Sequence, residues 1–308
     1  MDLALPGLAH LHVLVDAAGA IRSAHATMSG GACAPVEDGG APLDALVREA
    51  MRVCPGPGGG RVADDRVGLW RVERYDTAQG AALVLVRTNA VTDRLEDLGL
   101  PEAVCRMLEE LGGPARRGLV LVLGDMNAGK STLAATLLKR WLVRHGGIAF
   151  AWADPPEHDL DGPVGTGCCI SVNIAAEQYG DAVVAARRSR ARYFYFGEPR
   201  LDPAILAVVQ ASLSGPVCLS TAHGAGLIPG LIAFSAAAAR VDSRAYEQLA
   251  SGLAAAFHVR VESGVRRSRL VVTEHLVLGQ GHGDTGRSHI RAGNLGQLGN
   301  LIRPLRAA

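Results

Sequence analysis

The sequence predicts an α/β protein, a doubly wound parallel-sheet domain preceded by a small α+β unit. Three observations carry that expectation. Gly118 to Leu123 is an uninterrupted apolar run, which suits a strand of a parallel sheet buried on both faces. Beyond it, short apolar runs alternate with longer helix-periodic segments, the pattern of βαβ units. Before residue 92 the short runs alternate apolar and polar residues between Gly- and Pro-rich stretches, as antiparallel strands with one solvated face do.

The N-terminal unit, residues 1–92, reads as strands at 11–15, 67–74 and 82–87 and a short amphipathic helix at 43–53. Gly and Pro mark loops at 30–42 and 55–60. Residues 93–117 read as a linker and helix. A polar stretch with Thr92, Asp93 and Asp97 leads into a helix from Pro101 to Leu111, which Gly112-Gly113-Pro114 ends. Residues 118–308 form the main domain. Its expected strands are 118–123, 148–153, 193–197 and 217–221, and its expected helices are 130–144, 180–191, 203–213, 226–239 and 243–255. Two late strands, 257–262 and 269–277, flank a Gly-Val-Arg-Arg turn as a hairpin. No internal repeat is visible.

Composition narrows the function. The chain has 308 residues, 48% hydrophobic and 20% charged, so it can bury a core without staples and is not disordered. Lys plus Arg is 31 against 30 Asp plus Glu, a net charge of +1. That balance gives no reason to expect nucleic acid or an anionic membrane as the main partner. Lys130 and Lys139 are the only lysines, and the other basic residues are arginines. Six cysteines without a CxxC pair suit neither a disulfide framework nor a zinc site. Asp2 and Pro6 interrupt the start, so no signal peptide is expected. No apolar run reaches the ~18 residues of a membrane span.

The first motif is a phosphate loop. Gly124-Asp125-Met126-Asn127-Ala128-Gly129-Lys130-Ser131 fits G-x-x-x-x-G-K-[ST], with Thr132 following. It stands after a buried strand and before a helix, the context the motif needs. Backbone amides of such a loop wrap a β-phosphate, and the helix N-terminus adds its partial positive charge. Lys130 would bridge β- and γ-phosphates, and Ser131 would hold Mg²⁺. ATP and Mg²⁺ are therefore the expected ligands.

A phosphate loop needs carboxylates at neighbouring strand ends, and three stretches offer them or a histidine. Asp154-Pro155-Pro156-Glu157 follows the strand 148–153, Glu198 follows the aromatic run Tyr193 to Phe196, and His223 ends the strand from 217. All three sit at carboxyl ends of expected parallel strands, where open α/β sheets bind ligands. A carboxylate there can orient or deprotonate a water, or hold Mg²⁺ through waters. Asp154 is the metal candidate. Glu157, Glu198 and His223 are the catalytic candidates.

Together these stretches resemble the secretion ATPase superfamily of pilus-retraction (PilT-like), conjugation and type II/IV secretion ATPases. That family orders four boxes as Walker A, Asp box, Walker B and His box. Here the same order runs Gly124 to Thr132, Asp154 to Glu157, Gly197 to Arg200, and Thr221 to Gly224. Leu95 to Pro101 and Arg117 to Val122, leading into the loop, also look like the pilus-retraction pattern. So does Gly299-Asn300-Leu301-Ile302-Arg303 near the end. Leu69-Trp70-Arg71-Val72 and Val86-Arg87-Thr88 match arginine-bearing strands of the family's PAS-like domain. The resemblance spans about residues 8 to 303.

The resemblance implies a RecA-like nucleotide domain behind a PAS-like domain, assembled as a homo-oligomeric ring, a hexamer. It implies ATP between one subunit's nucleotide domain and a neighbour's PAS-like domain, with Arg71 and Arg87 neutralising phosphate charge there. It also implies a cytoplasmic protein, peripheral at the inner membrane, whose partner is a membrane platform protein; no direct nucleic-acid contact is expected. Departures exist. Ala153 stands where the Asp box usually starts with an acid, the phosphate loop is poorer in Gly, Ser and Thr, and Ala222 and Gly224 flank His223. The tetracysteine zinc module of type II motors is absent. These departures motivate a second reading, a degenerate subunit that binds nucleotide with little hydrolysis. A third, an unrelated phosphate-loop kinase, would need an acceptor pocket and lid that the sequence does not offer.

Overall fold

The computed structural model describes residues 8–28, 33–36, 40–64, 68–88, 91–153, 156–262, 269–279 and 284–304. The chain divides into two compact units, Met1–Ala90 and Val91–Ala308.

In the first unit the strands carry one apolar face. β1 (Leu8–Asp16) buries Leu11, Val13 and Val15 while His12 and Leu14 are exposed, the two-residue period of a one-sided sheet. β2 (Ile21–Met28), β3 (Cys33–Pro35), α1 (Gly40–Val53), β4 (Gly58–Asp64), β5 (Gly68–Thr77) and β6 (Gly80–Arg87) follow. The six strands form an antiparallel sheet in the order β3-β2-β1-β6-β5-β4. Helix α1 places Leu43, Leu46, Val47 and Ala50 in one cluster with Trp70, Val72, Leu83 and Leu85. The β5–β6 turn needs Gly80. Its φ is +141°, and a Cβ there would stand 2.1 Å from the Val15 carbonyl oxygen. The loop expected at 55–60 is half strand, because Gly58-Gly59-Gly60 opens β4 and pairs with Arg74, Glu73 and Val72.

The second unit is built on a nine-stranded sheet. A 3₁₀ turn (Leu95–Leu98) and α2 (Glu102–Glu110) precede β7 (Gly118–Gly124), α3 (Lys130–His145) and β8 (Gly147–Ala153). Then come β9 (Gly162–Val164), β10 (Gly167–Asn173), α4 (Tyr179–Arg188), β11 (Tyr193–Phe196), α5 (Asp202–Ala211), β12 (Val217–His223), α6 (Leu227–Val241) and α7 (Ala245–Gly252). β13 (Leu253–Glu262), β14 (Arg269–Val277), α8 (Thr285–Arg291) and β15 (Arg303–Pro304) complete it. The order is β15-β14-β13-β7-β12-β11-β8-β10-β9. Strands β13 through β10 run parallel, and antiparallel β14 and β9 flank them.

All seven residues of β7 are buried. Leu119, Leu121 and Leu123 join the core on one face, and Val120 and Val122 join the core on the other. A strand with helices on both sides needs apolar residues at every position, which is why the run is uninterrupted. Segment 93–117 belongs with this unit. Leu95, Leu100, Val104 and Leu108 share a core with Trp141 of α3, whose indole N–H donates to the Leu108 carbonyl at 3.0 Å. Gly112 lets that ring approach, since a Cβ would meet it at 2.2 Å.

Among the described residues no helix is long and apolar enough to cross a membrane.

Candidate functional site

The phosphate-loop stretch departs from ordinary backbone at two points. Asn127 has φ 61° and Gly129 has φ 82°, left-handed values that turn successive amides toward one side of a loop and favour anions. Gly129 is also required by space, because a Cβ would stand 2.6 Å from Leu270. Helix α3 starts at Lys130, so its N-terminal dipole lies behind the loop. Met126 points outward, 77% exposed.

Lys130 is 6% exposed. Its ammonium donates to the Asp125 carbonyl at 2.8 Å and lies 3.5 Å from His223 Nδ1. Burial lowers its pKa, and Glu198, Glu157 and Asp125 pull the other way. A buried ammonium keeps its charge where nearby carboxylates and carbonyls offset the loss of water.

Parallel pairing explains why His223 reaches it. β12 lies beside β7 with His223 opposite Gly124, so the last residue of one strand faces the first of the loop. Glu198 arrives from β11, the next strand along, and its Oε1 is 2.6 Å from His223 Nε2. If Nε2–H donates to that carboxylate, the Nδ1 lone pair faces the Lys130 ammonium, a chain that satisfies both ring nitrogens. Glu198 is held by its backbone neighbour. The Gly197 N–H donates to the Trp152 carbonyl at 2.7 Å, and the Ser220 hydroxyl donates to the Gly197 carbonyl at 3.2 Å.

Glu157, after β8, lines one cavity with Ser131, Tyr195, Glu198 and Arg200. Burial first, then the nearby Glu157, Tyr179 and Glu198, push the Tyr195 phenol far up, so it stays a neutral donor. Ser131 with two carboxylates supplies oxygen donors alone, which suits Mg²⁺. Among the described residues no three metal-binding side chains converge. Asp154 lies outside the described residues.

Arg71 and Arg87 belong to the first unit. Trp70 pairs with Arg87 and Arg71 with Val86, so the two arginines leave the sheet on opposite faces. Arg87 lies over the Trp70 ring, 5.9 Å from its centroid.

Two residues of the site escape sequence reasoning. His258 of β13 is 8% exposed. Its Nε2 lies 3.1 Å from the Gly224 carbonyl and its Nδ1 2.6 Å from Thr273 Oγ1. Glu274 of β14 accepts the Leu227 N–H at 2.7 Å, at the first turn of α6. The Gly224 N–H in turn reaches the Gly124 carbonyl at 3.3 Å. The edge hairpin thus braces the turn after His223 from behind. The available signal was weak: His258 follows the apolar run Leu253 to Phe257, and Glu274 stands between Thr273 and His275 in a strand that already mixes polar and apolar residues.

No protein-family model matches the chain, and no curated protein does. Solved structures share its fold. The pilus retraction motor PilT with bound ADP superposes at a TM-score of 0.70 with 17% identity, covering 96% of this chain and 85% of that one. The Legionella pneumophila ATPase DotB gives 0.66 at 14% identity over 96% and 85%. Its Yersinia pseudotuberculosis counterpart gives 0.66 at 14% over 96% and 84%. The chain therefore has the two-part fold of these proteins, a parallel-sheet domain behind a smaller N-terminal one.

Proposed function

We propose that this protein is a ring-forming ATPase that couples ATP hydrolysis to movement in a type IV pilus or a type II/IV secretion machine. The observation that carries the reading is the chain Glu198–His223–Lys130 at the carboxyl ends of three adjacent parallel strands. A lysine binds the phosphates, a carboxylate waits within reach of the water, and a histidine joins the two. The fold shared with a retraction motor that holds ADP supports the same reading.

The amides of 124–130 would wrap the β-phosphate and Lys130 would turn from Asp125 to the β- and γ-phosphates. The Ser131 hydroxyl would hold Mg²⁺, which offsets phosphate charge. Glu198 would orient or deprotonate the attacking water, with Glu157 across the same cavity as its support. His223 would report to Glu198 whether Lys130 is engaged. The pairing of Glu198 with His223 favours hydrolysis over binding alone, because a site that only held nucleotide would have no use for a positioned base. Arg71 and Arg87 are proposed to meet a neighbour's nucleotide in the ring, from separate faces of their sheet. The ring would be a hexamer, cytoplasmic and docked at the inner membrane on a platform protein.

The deciding experiment measures steady-state hydrolysis against protein concentration, with assembly mass by light scattering in parallel. Expected is Mg²⁺-dependent ATP turnover that rises together with ring mass. Turnover independent of assembly would remove the ring from the mechanism, and no turnover in assembled rings would remove hydrolysis.

A further inference from the structure

The opposite end of the same sheet carries an arginine recess that nucleotide chemistry does not use. Arg116, Arg187, Arg190 and Arg192 line a recess of about 290 Å³ with Ser214 and Gly215. The arginines come from two segments, before β7 and from α4 into β11, and Ser214 and Gly215 come from the stretch before β12. These are the amino ends of parallel strands whose carboxyl ends hold the phosphate loop. Seven residues of β7 at ~3.3 Å each place the two sites roughly 20 Å apart.

Among the described residues none of the four pairs with a carboxylate, whereas Arg140 and Arg144 share Glu109 and Arg240 pairs with Asp202. Two have structural work. Arg192 stacks on Tyr193 and donates to the Gly112 and His145 carbonyls. Arg187 reaches the Gln210 carbonyl and complements the C-terminus of α4. Carbonyls hold such groups but do not cancel their charge. The side chains of Arg116 and Arg190 have neither hydrogen bond nor ion pair among the described residues, although the Arg116 backbone N–H donates to the Gly113 carbonyl. Arg190 moreover sits at φ 55°, a left-handed conformation that residues with a Cβ seldom adopt. Glycine would be the relaxed choice there, yet the position presents a guanidinium to the recess.

Four uncompensated cations around a small recess are a binding site for a multiply charged anion. We infer that the recess binds a phosphate group. Guanidinium forks converging from two segments match a tetrahedral anion with several oxygens better than one planar carboxylate. The phosphate could be carried by a soluble compound or by an anionic lipid headgroup, and the two sources are separable.

The test uses the full chain and inorganic pyrophosphate, with binding stoichiometry read by calorimetry. The phosphate loop and the recess should give the wild type two sites. Arg116→Ser/Arg190→Gly should keep one site, with affinity at the lost one down by at least about tenfold. Lys130→Ala should keep the other. Arg190→Gly suits the left-handed backbone, so a melting temperature no lower than that of the wild type is expected and checks the fold. Vesicles of phosphatidylglycerol in phosphatidylcholine form the second arm. Binding lost in the double variant assigns the lipid headgroup, whereas pyrophosphate binding without vesicle binding assigns a soluble phosphate. Two pyrophosphate sites of unchanged affinity in the double variant would overturn the inference. So would a wild type whose recess takes neither probe but binds a polyglutamate peptide, which would make it a protein-docking site.

Discussion

The two ends of one parallel sheet carry opposite kinds of electrostatics. At the carboxyl end a single cation, Lys130, is buried and surrounded by Glu198, Glu157 and Asp125. At the amino end Arg116, Arg187, Arg190 and Arg192 gather with no acid among the described residues. Both ends suit phosphate, by different routes. The first is a shaped, desolvated site in which one charge is worth much because water is excluded. The second is open, and it needs several exposed charges because each is screened. The difference teaches that burial sets how many cations a phosphate site requires, and each end can be broken without the other.

Lys130→Ala should have the largest effect. It removes the sole side-chain cation of the loop, and Lys139 lies about two turns along the helix, where it pairs with Asp93 instead. Equilibrium binding of labelled ATP is expected to fall below detection, with pyrophosphate binding at the amino end intact. Unchanged ATP affinity would sink the phosphate-loop assignment and with it the contrast between the two ends.

Glu198→Gln should come next. The amide keeps the size and one hydrogen bond to His223 but loses the charge proposed to activate a water. Turnover is expected to drop roughly 10²-fold or more with ATP affinity kept. Wild-type turnover in this variant would shift the base to Glu157, which Glu157→Gln in the same assay would then show.

Much of the carboxyl end was legible from residues alone because its parts are contiguous. The phosphate loop, the buried β7 and the acids after β8 and β11 each lie in one short stretch whose type follows from its pattern. What was illegible depends on pairing. β10 (Gly167-Cys168-Cys169-Ile170-Ser171-Val172-Asn173) mixes small and polar residues with no clear period, and only its parallel register with β8 makes it a strand. The helix expected at 243–255 stops at Gly252, because Leu253 to His258 pairs with β7, and that pairing outweighs the helix preference of three alanines. Arg71 and Arg87 were legible as strand residues, but their opposite faces follow only from the β5–β6 register. The arginine recess was invisible as a recess, since Arg116 stands 71 or more positions from the others in sequence and meets them only through strand order.

His258 tests the brace that makes the carboxyl end rigid, with the smallest expected effect. The imidazole has one nitrogen on Gly224 and the other on Thr273, and Gly224 in turn touches the start of the phosphate loop. Removing it should loosen the turn that carries His223 while leaving the phosphate contacts in place. His258→Leu fills similar space but strands the Gly224 carbonyl, a loss worth about 1 kcal/mol for one neutral hydrogen bond. That converts to roughly three- to tenfold in kcat with KM for ATP unchanged, because the lost contact orients His223, the proposed link to Glu198, rather than the nucleotide. His258→Gln, which can still donate to Gly224, should recover part of the rate. A purely structural brace would behave otherwise. His258→Leu would then lower the melting temperature while kcat stayed at the wild-type value, and the glutamine variant would restore stability with no rate to recover.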